Sequence, residues 1–127
     1  MAIRTELTII LENRPGAAAR VFHNLAEDRI NIVAMQLEHG GALRLVVDNP
    51  LHAAELMRGR RIQVEQRDVL YTVVPNDPGV LGRMAKLLAD AGVNVEYLYS
   101  TAVEGHPMAA VVFGVPDAVK ASAASGI

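Results

Sequence analysis

A four-residue signature occurs twice in this chain, 63 residues apart: Asn13-Arg14-Pro15-Gly16 and Asn76-Asp77-Pro78-Gly79. The register holds well beyond the signature. Arg20 matches Arg83, Leu25-Ala26 matches Leu88-Ala89, Glu27 matches Asp90, and Ile30-Asn31-Ile32 matches Val93-Asn94-Val95. A repeat of this length constrains the fold more than any other feature, because what one copy forms the other must form as well. Each copy has only about 60 residues, close to the size below which a core is marginal. The copies are therefore expected to pack on each other or on a second chain.

The residues of each copy spell the same elements. Leu7 to Leu11 and Leu70 to Val74 are apolar runs rich in β-branched residues, and read as strands. The Asn-x-Pro-Gly segments read as turns, since Pro fixes φ and Gly permits a tight reversal. Helices follow: Ala18, Val21, Phe22 and Leu25 recur at helical spacing, as do Leu81, Met84, Ala85 and Leu88. Asp28-Arg29 and Ala91-Gly92 end them, Gly92 being a natural cap. Second strands run from Ile30 to Leu37 and from Val93 to Ser100. Hairpin loops follow at His39-Gly40-Gly41 and at residues 104–107, and third strands at Leu43 to Val47 and Met108 to Phe113. A second helix begins near Pro50 on Asp48 or Asn49, and Pro116 opens its counterpart. Ile62 to Gln66 reads as a fourth strand of the first copy; the second copy has no residues for one.

The pattern is βαββαβ followed by βαββα, with modules at residues 1–66 and 67–127. It predicts an α+β fold of two ferredoxin-like units. Each has an antiparallel sheet with both helices on one face, and the second lacks its last strand. Alternation is weak in several strands, with Ile10 opposite Leu7, Ile9 and Leu11, and both faces of Met108 to Phe113 apolar. One-sided helical cover leaves such surface exposed, so side-by-side sheet joining, face-to-face packing or a homodimer is expected.

Composition narrows the function. Net charge is −2 and aromatic residues make up 4%, which excludes a nucleic-acid surface built on basic charge or base stacking. There is no cysteine, which removes disulfides, thiol nucleophiles and Cys-based metal sites. His23, His39, His52 and His106 lack metal-ligand spacing and an acidic triad partner, and Gly79-x-x-Gly82 lacks the ending of a phosphate loop. No metal or cofactor is expected. No apolar run reaches the length of a membrane span, and Met1 to Glu6 lacks the layout of a signal peptide, so the reading is cytoplasmic. The basic stretch Arg58-Gly59-Arg60-Arg61 reads as a solvated turn.

These residues resemble the ACT domain, a ferredoxin-like small-molecule-binding module of amino-acid metabolic enzymes. Its pattern is a strand, an Asn/Asp-x-Pro-Gly turn, a helix with an aromatic and a Leu-Ala pair, then a Gly/Ile-Asn-Ile strand. Asn13, Pro15, Gly16, Phe22, Leu25, Ala26 and Ile30-Asn31-Ile32 stand at those places, as do Asn76, Pro78, Gly79, Leu88, Ala89 and Gly92-Val93-Asn94-Val95. The resemblance spans nearly the whole chain and is to stand-alone tandem modules without a catalytic domain. It implies that modules pair through their second strands. An amino acid would sit where the turn of one module meets the second strand of its neighbour. By position, this implicates Asn13, Arg14, Pro15, Gly16 and Ala17 with Asn31 and Ile32. In the second copy it implicates Asn76, Asp77, Pro78, Gly79, Val80 and Leu81 with Asn94 and Val95.

Elementary electrostatics fits such a site. Open N–H groups and the positive dipole at a helix N-terminus suit a carboxylate, and Asp77, Asn94 or Glu96 could accept from an ammonium. The second copy is the better equipped, since Arg14 would repel an ammonium. The plainer readings stay open. Asn31 and Asn94 could simply fasten neighbouring loops, and Tyr97 with Tyr99 could serve packing.

The resulting expectation is a non-enzymatic regulatory protein. It would bind a free amino acid or similar metabolite, branched-chain and aromatic ones first by family analogy, and act as a homodimer on an amino-acid metabolic enzyme. The alternative is a protein–protein interaction module with no ligand. An enzyme on the same fold would need paired carboxylates or a His–acid constellation, which the sequence does not show.

Overall fold

The computed structural model describes residues 3–127; Met1 and Ala2, which open the N-terminal stretch and the first module read above, lie outside the described residues. The element order is β1 (Ile3–Ile10), α1 (Ala17–Glu27), β2 (Ile32–Leu37), β3 (Ala42–Val47), α2 (Pro50–Gly59), β4 (Glu65–Pro75), α3 (Val80–Asp90), β5 (Tyr97–Thr101), β6 (Met108–Gly114) and α4 (Ala118–Ser125). This is the α+β arrangement of two ferredoxin-like modules. The chain divides into two compact units, Thr5–Arg67 and Asp68–Ile127, the latter joined by Ile3 and Arg4.

In Thr5–Arg67, β3 lies between β1 and β2 and is antiparallel to both, with Leu7 opposite Leu45, Ile9 opposite Leu43, and Met35 and Leu37 opposite Leu45 and Leu43. Alternation sends Leu7, Ile9, Leu43, Leu45 and Val47 to the helical side, where Val21 and Leu25 of α1 and Ala53, Ala54 and Met57 of α2 meet them. Each fully buried Leu or Ile contributes about 1.5–3 kcal/mol. Helix α2 starts on Asn49, whose side chain accepts the His52 N–H at 3.2 Å, with Pro50 at the first helical position. Asp48, the other candidate cap, instead accepts the Asn31 N–H at 3.1 Å and ties β2 to the end of β3. On the face away from the helices, Glu6 is fully buried with a guanidinium nitrogen of Arg44 at 3.7 Å, and Arg44 donates to Glu38 at 2.8 Å.

In the second unit β6 is central, antiparallel to β4 and β5, with Leu70 opposite Phe113 and Tyr99 opposite Val112. Leu70, Val74, Val111 and Phe113 form the core with Val80 and Leu88 of α3 and Ala118 and Ala121 of α4. Val112 faces away from that core, yet it is completely buried, with Tyr71 and Tyr99 as its cross-strand neighbours. The rings of Tyr97 and Tyr99 stack at 6.4 Å between centroids, 3° from parallel. Tyr97 lies opposite Gly114, and a Cβ at that glycine would run into its ring.

Several boundaries differ from the sequence reading. The expected strands Ile62 to Gln66 and Leu70 to Val74 are one strand, β4, because Arg67-Asp68-Val69 contains no Gly or Pro to break the extended chain, and Asp68 alone does not turn it. Ile62 to Val64 stay outside it. Strand β5 starts at Tyr97 rather than Val93, with Val93 and Val95 packed on the core from an irregular segment. Helix α4 starts at Ala118 on an Asp117 cap, whose side chain accepts the Lys120 N–H at 3.0 Å; Pro116 precedes it. Helix α3 buries Val80 and Leu88 and half-buries Met84 between them, an i, i+4, i+8 row, while Leu81 is 46% exposed and Ala85 is exposed. Both rows are apolar, so periodicity does not choose between them. The second copy, without a fourth strand of its own, is joined by Ile3 packed on its core and by Arg4, 4.5 Å from the Tyr71 ring centroid.

Replacing Gly114 with Ala overpacks the Tyr97 ring and is expected to lower unfolding stability by about 1–3 kcal/mol. Urea denaturation of the two proteins measures it; an unchanged midpoint would mean that the Tyr97 ring yields without cost.

Candidate functional site

Each repeat turn ends in a glycine in the left-handed region, with φ +87° at Gly16 and +86° at Gly79. A side chain there is strained regardless of space, and around Gly16 the space is open. At Gly79 a Cβ would in addition meet the Arg83 guanidinium at 3.3 Å. These glycines are also the N-caps of α1 and α3, and neither supplies a side-chain cap. By contrast α2 and α4 are capped by Asn49 and Asp117. The two helices that follow the repeated turn therefore present first-turn N–H groups and a positive dipole end with no acidic residue in the first turn.

The two turns have diverged around that shared backbone. Arg14 is held by Glu12 at 2.6 Å. Asp77, its counterpart, is exposed and has no side-chain partner among the described residues. Asn76 donates to the Val103 and His106 carbonyls at 3.2 and 3.0 Å, and its N–H bonds the Pro107 carbonyl at 2.9 Å, so it fastens the turn to the loop between β5 and β6. Asn13 has no such partner among the described residues.

Within one module the expected site residues do not converge. Asn13, Arg14 and Ala17 line a cleft of about 350 Å³ with Leu37, Glu38, His39 and Gly41, at the end of the sheet where the hairpin between β2 and β3 turns. Arg14 and Ala17 also border a second cleft of about 330 Å³ beside β1 and α1. Pro15 and Gly16 belong to the same turn. Asn31 and Ile32 lie at the opposite end of β2, beside Val47 and Asp48, separated from the turn by the length of the strand. The second unit repeats this. Asn76, Asp77, Pro78, Gly79, Val80 and Leu81 sit by the loop between β5 and β6. Asn94, Val95 and Glu96 lead into the other end of β5, where the Glu96 N–H bonds the Gly114 carbonyl at 2.8 Å. Val80 is 6% exposed and belongs to the core.

Asn31 does hold the start of its strand, but through its backbone: its N–H goes to Asp48 and its carbonyl accepts the Asp48 N–H at 3.0 Å. Sequence reasoning missed Glu38, His39 and Gly41 as neighbours of the first turn; the Gly-Gly hairpin signal was the available clue. Among the described residues no group of three or more His, Cys, Asp or Glu is arranged to hold a metal ion. No helix among them is long and apolar enough to cross a membrane.

Two ferredoxin-like modules in tandem, each with a left-handed glycine opening an uncapped helix, define a class of paired ferredoxin-like folds. The chain belongs to the ACT domain pair family, whose model matches residues 1–123. Among solved structures it is similar to protein BT0572 from Bacteroides thetaiotaomicron, with 30% identity and a TM-score of 0.88 over 97% of this chain and 86% of that one. The ligand-free regulatory subunit of aspartate kinase from Thermus thermophilus shares the fold at 21% identity and a TM-score of 0.68, over 98% of this chain and 90% of that one. Escherichia coli aspartokinase III in complex with lysine and aspartate shares it at 16% identity and a TM-score of 0.63, over 98% of this chain and 30% of the longer enzyme. No curated protein matches.

The two signature asparagines should separate by mutation. Asn76→Ala removes two side-chain hydrogen bonds and is expected to cost about 1–2 kcal/mol. Asn13→Ala is expected to stay within about 0.5 kcal/mol of the parent. Thermal unfolding of both variants tests this, and equal losses would contradict the structural role of Asn76.

Proposed function

We propose that this ACT pair is a non-catalytic regulatory protein that binds a free amino acid at its Asn-x-Pro-Gly turns and modulates an enzyme of amino-acid metabolism. The observation that carries the reading is the contrast in capping. Helices α1 and α3 open without side-chain caps at the repeated turns, while α2 and α4 are capped. Uncapped N–H groups at a positive dipole end complement a ligand carboxylate. Asp77 beside the second turn offers an acceptor for the ammonium, which favours the second module. The fold shared with aspartate kinase regulatory subunits supports the regulatory part of the reading.

Acceptors beyond Asp77 would come from the second strand of a neighbouring module, because Asn31 and Asn94 lie far from the turn of their own copy. A second chain is the natural donor. β2 lies at the edge of its unit's sheet beyond β3, and β5 beyond β6. Both carry exposed apolar residues, with Leu37 48% and Leu98 43% exposed. Edges of this kind invite pairing. The ligand then favours one arrangement of paired modules, with a coupling of about 1–3 kcal/mol if it follows ordinary allostery. The same edges favour the alternative, an interaction module that senses nothing.

Thermal unfolding against the free amino acids, lysine and the branched-chain and aromatic ones included, tests the reading. One of them is expected to raise the midpoint saturably, by about 2.7 kcal/mol of stability at roughly a hundredfold excess over Kd. Asp77→Asn should weaken that response without altering the unliganded midpoint. Gly79→Val is unsuitable for this purpose, since φ +86° strains any side chain there. No shift with any amino acid would leave the interaction module as the better reading, and a chain monomeric by light scattering at every concentration would remove the paired-edge site.

A further inference from the structure

We propose that the cleft of about 330 Å³ beside β1 and α1 of the first unit is an anion site, which takes a small doubly negative metabolite between Arg20 and Arg61. The cleft is distinct from the turn of the second module that the amino-acid reading favours. Its volume lies at the lower end of small-molecule sites. Arg14, Arg20 and Arg61 all border it, together with Glu12, Glu65 and Thr8. Arg14 and Glu12 neutralise each other at 2.6 Å. Arg20 and Arg61 have no side-chain partner among the described residues, which leaves two guanidiniums facing one cleft against the single carboxylate of Glu65.

Both arginines stand against their local preference. Arg20 is the fourth residue of α1, at the positive end of a helix with no acidic residue in its first turn and no side-chain cap. A cation is disfavoured there and an anion favoured. Arg61 follows the C-cap of α2 with φ +58°, in the left-handed region where glycine is the usual residue. Its N–H closes the helix on the Arg58 carbonyl at 3.0 Å, and the Ile62 N–H reaches Met57 at 2.8 Å. The equivalent place is held by Gly92 after α3 and by Arg29 after α1, both also at positive φ, and of the two arginines only Arg61 borders the cleft. Departures from local preference that converge on one cleft are what a binding site produces. A dianion can engage both guanidiniums, each of which can grip a carboxylate or phosphate with two N–H groups. Glu65 disfavours a ligand whose charge is spread widely and confines the negative groups to the arginine side.

The backbone at Arg61 supplies a clean test. Arg61→Gly removes the guanidinium at a position whose φ suits glycine, so the variant keeps the fold. Arg29→Gly is its control: Arg29 follows α1 with φ +57° and does not border the cleft. Isothermal titration of the full chain with inorganic phosphate and with succinate, at matched ionic strength, reads the binding. Saturable binding of either is expected, with phosphate or succinate identifying which anion class the cleft prefers. Arg61→Gly and Arg20→Gln should each weaken it tenfold or more, whereas Arg29→Gly and Asp77→Asn should leave it unchanged. Absence of binding by both anions, or equal binding by the Arg61→Gly protein, overturns the proposal. Neither result bears on the amino-acid reading, which Asp77→Asn tests separately.

Discussion

The left-handed glycine that closes each Asn-x-Pro-Gly turn is the constraint on which the rest depends. At φ near +87° this glycine ends a short turn after the strand and sends the chain directly into a helix that packs on the same sheet. The helix then lands with Val21 and Leu25, or Val80 and Leu88, against the apolar face of the same sheet. The same geometry makes glycine the N-cap, and glycine has no side chain to offer the first-turn amides. Fold and site thus share a cause: the residue that permits the turn also leaves the helix end open to a ligand.

Around that common frame the two modules have taken different chemistry. The first turn carries Arg14 locked to Glu12, with Arg20 and Arg61 beside it. The second carries Asp77 and uses Asn76 to pin a loop. A duplicated fold keeps its backbone requirement and is free to vary the charge beside it, because the charged side chains are exposed and contribute little to stability.

Much of this was legible in the residues. The 63-residue repeat, the turns, the helical stripe of α1 and the Asn49 and Gly92 caps all follow from local chemistry that acts over a few residues. The errors came where local chemistry is degenerate. Nothing between Gln66 and Leu70 could say whether one strand or two would form, and α3 offers two apolar rows, of which the one through Val80, Met84 and Leu88 faces the core. Asn31 fastens the start of β2 through its backbone to Asp48, a residue that local chemistry offers equally as a helix cap.

The sequence by itself determined the two-fold repeat, the strand-turn-helix order within each copy and the position of the two Asn-x-Pro-Gly turns, since φ restrictions at Pro and Gly and the periods of strand and helix are properties of short segments. Only the tertiary structure decided which residues meet. It set Asn76 against the carbonyls of Val103 and His106, aligned Gly114 with the Tyr97 ring, joined Ile3 and Arg4 to residues 68–127, and turned three arginines from separate segments toward one cleft. Such contacts join residues dozens of positions apart. They are fixed by sheet register and helix packing, which depend on the whole core rather than on any local pattern.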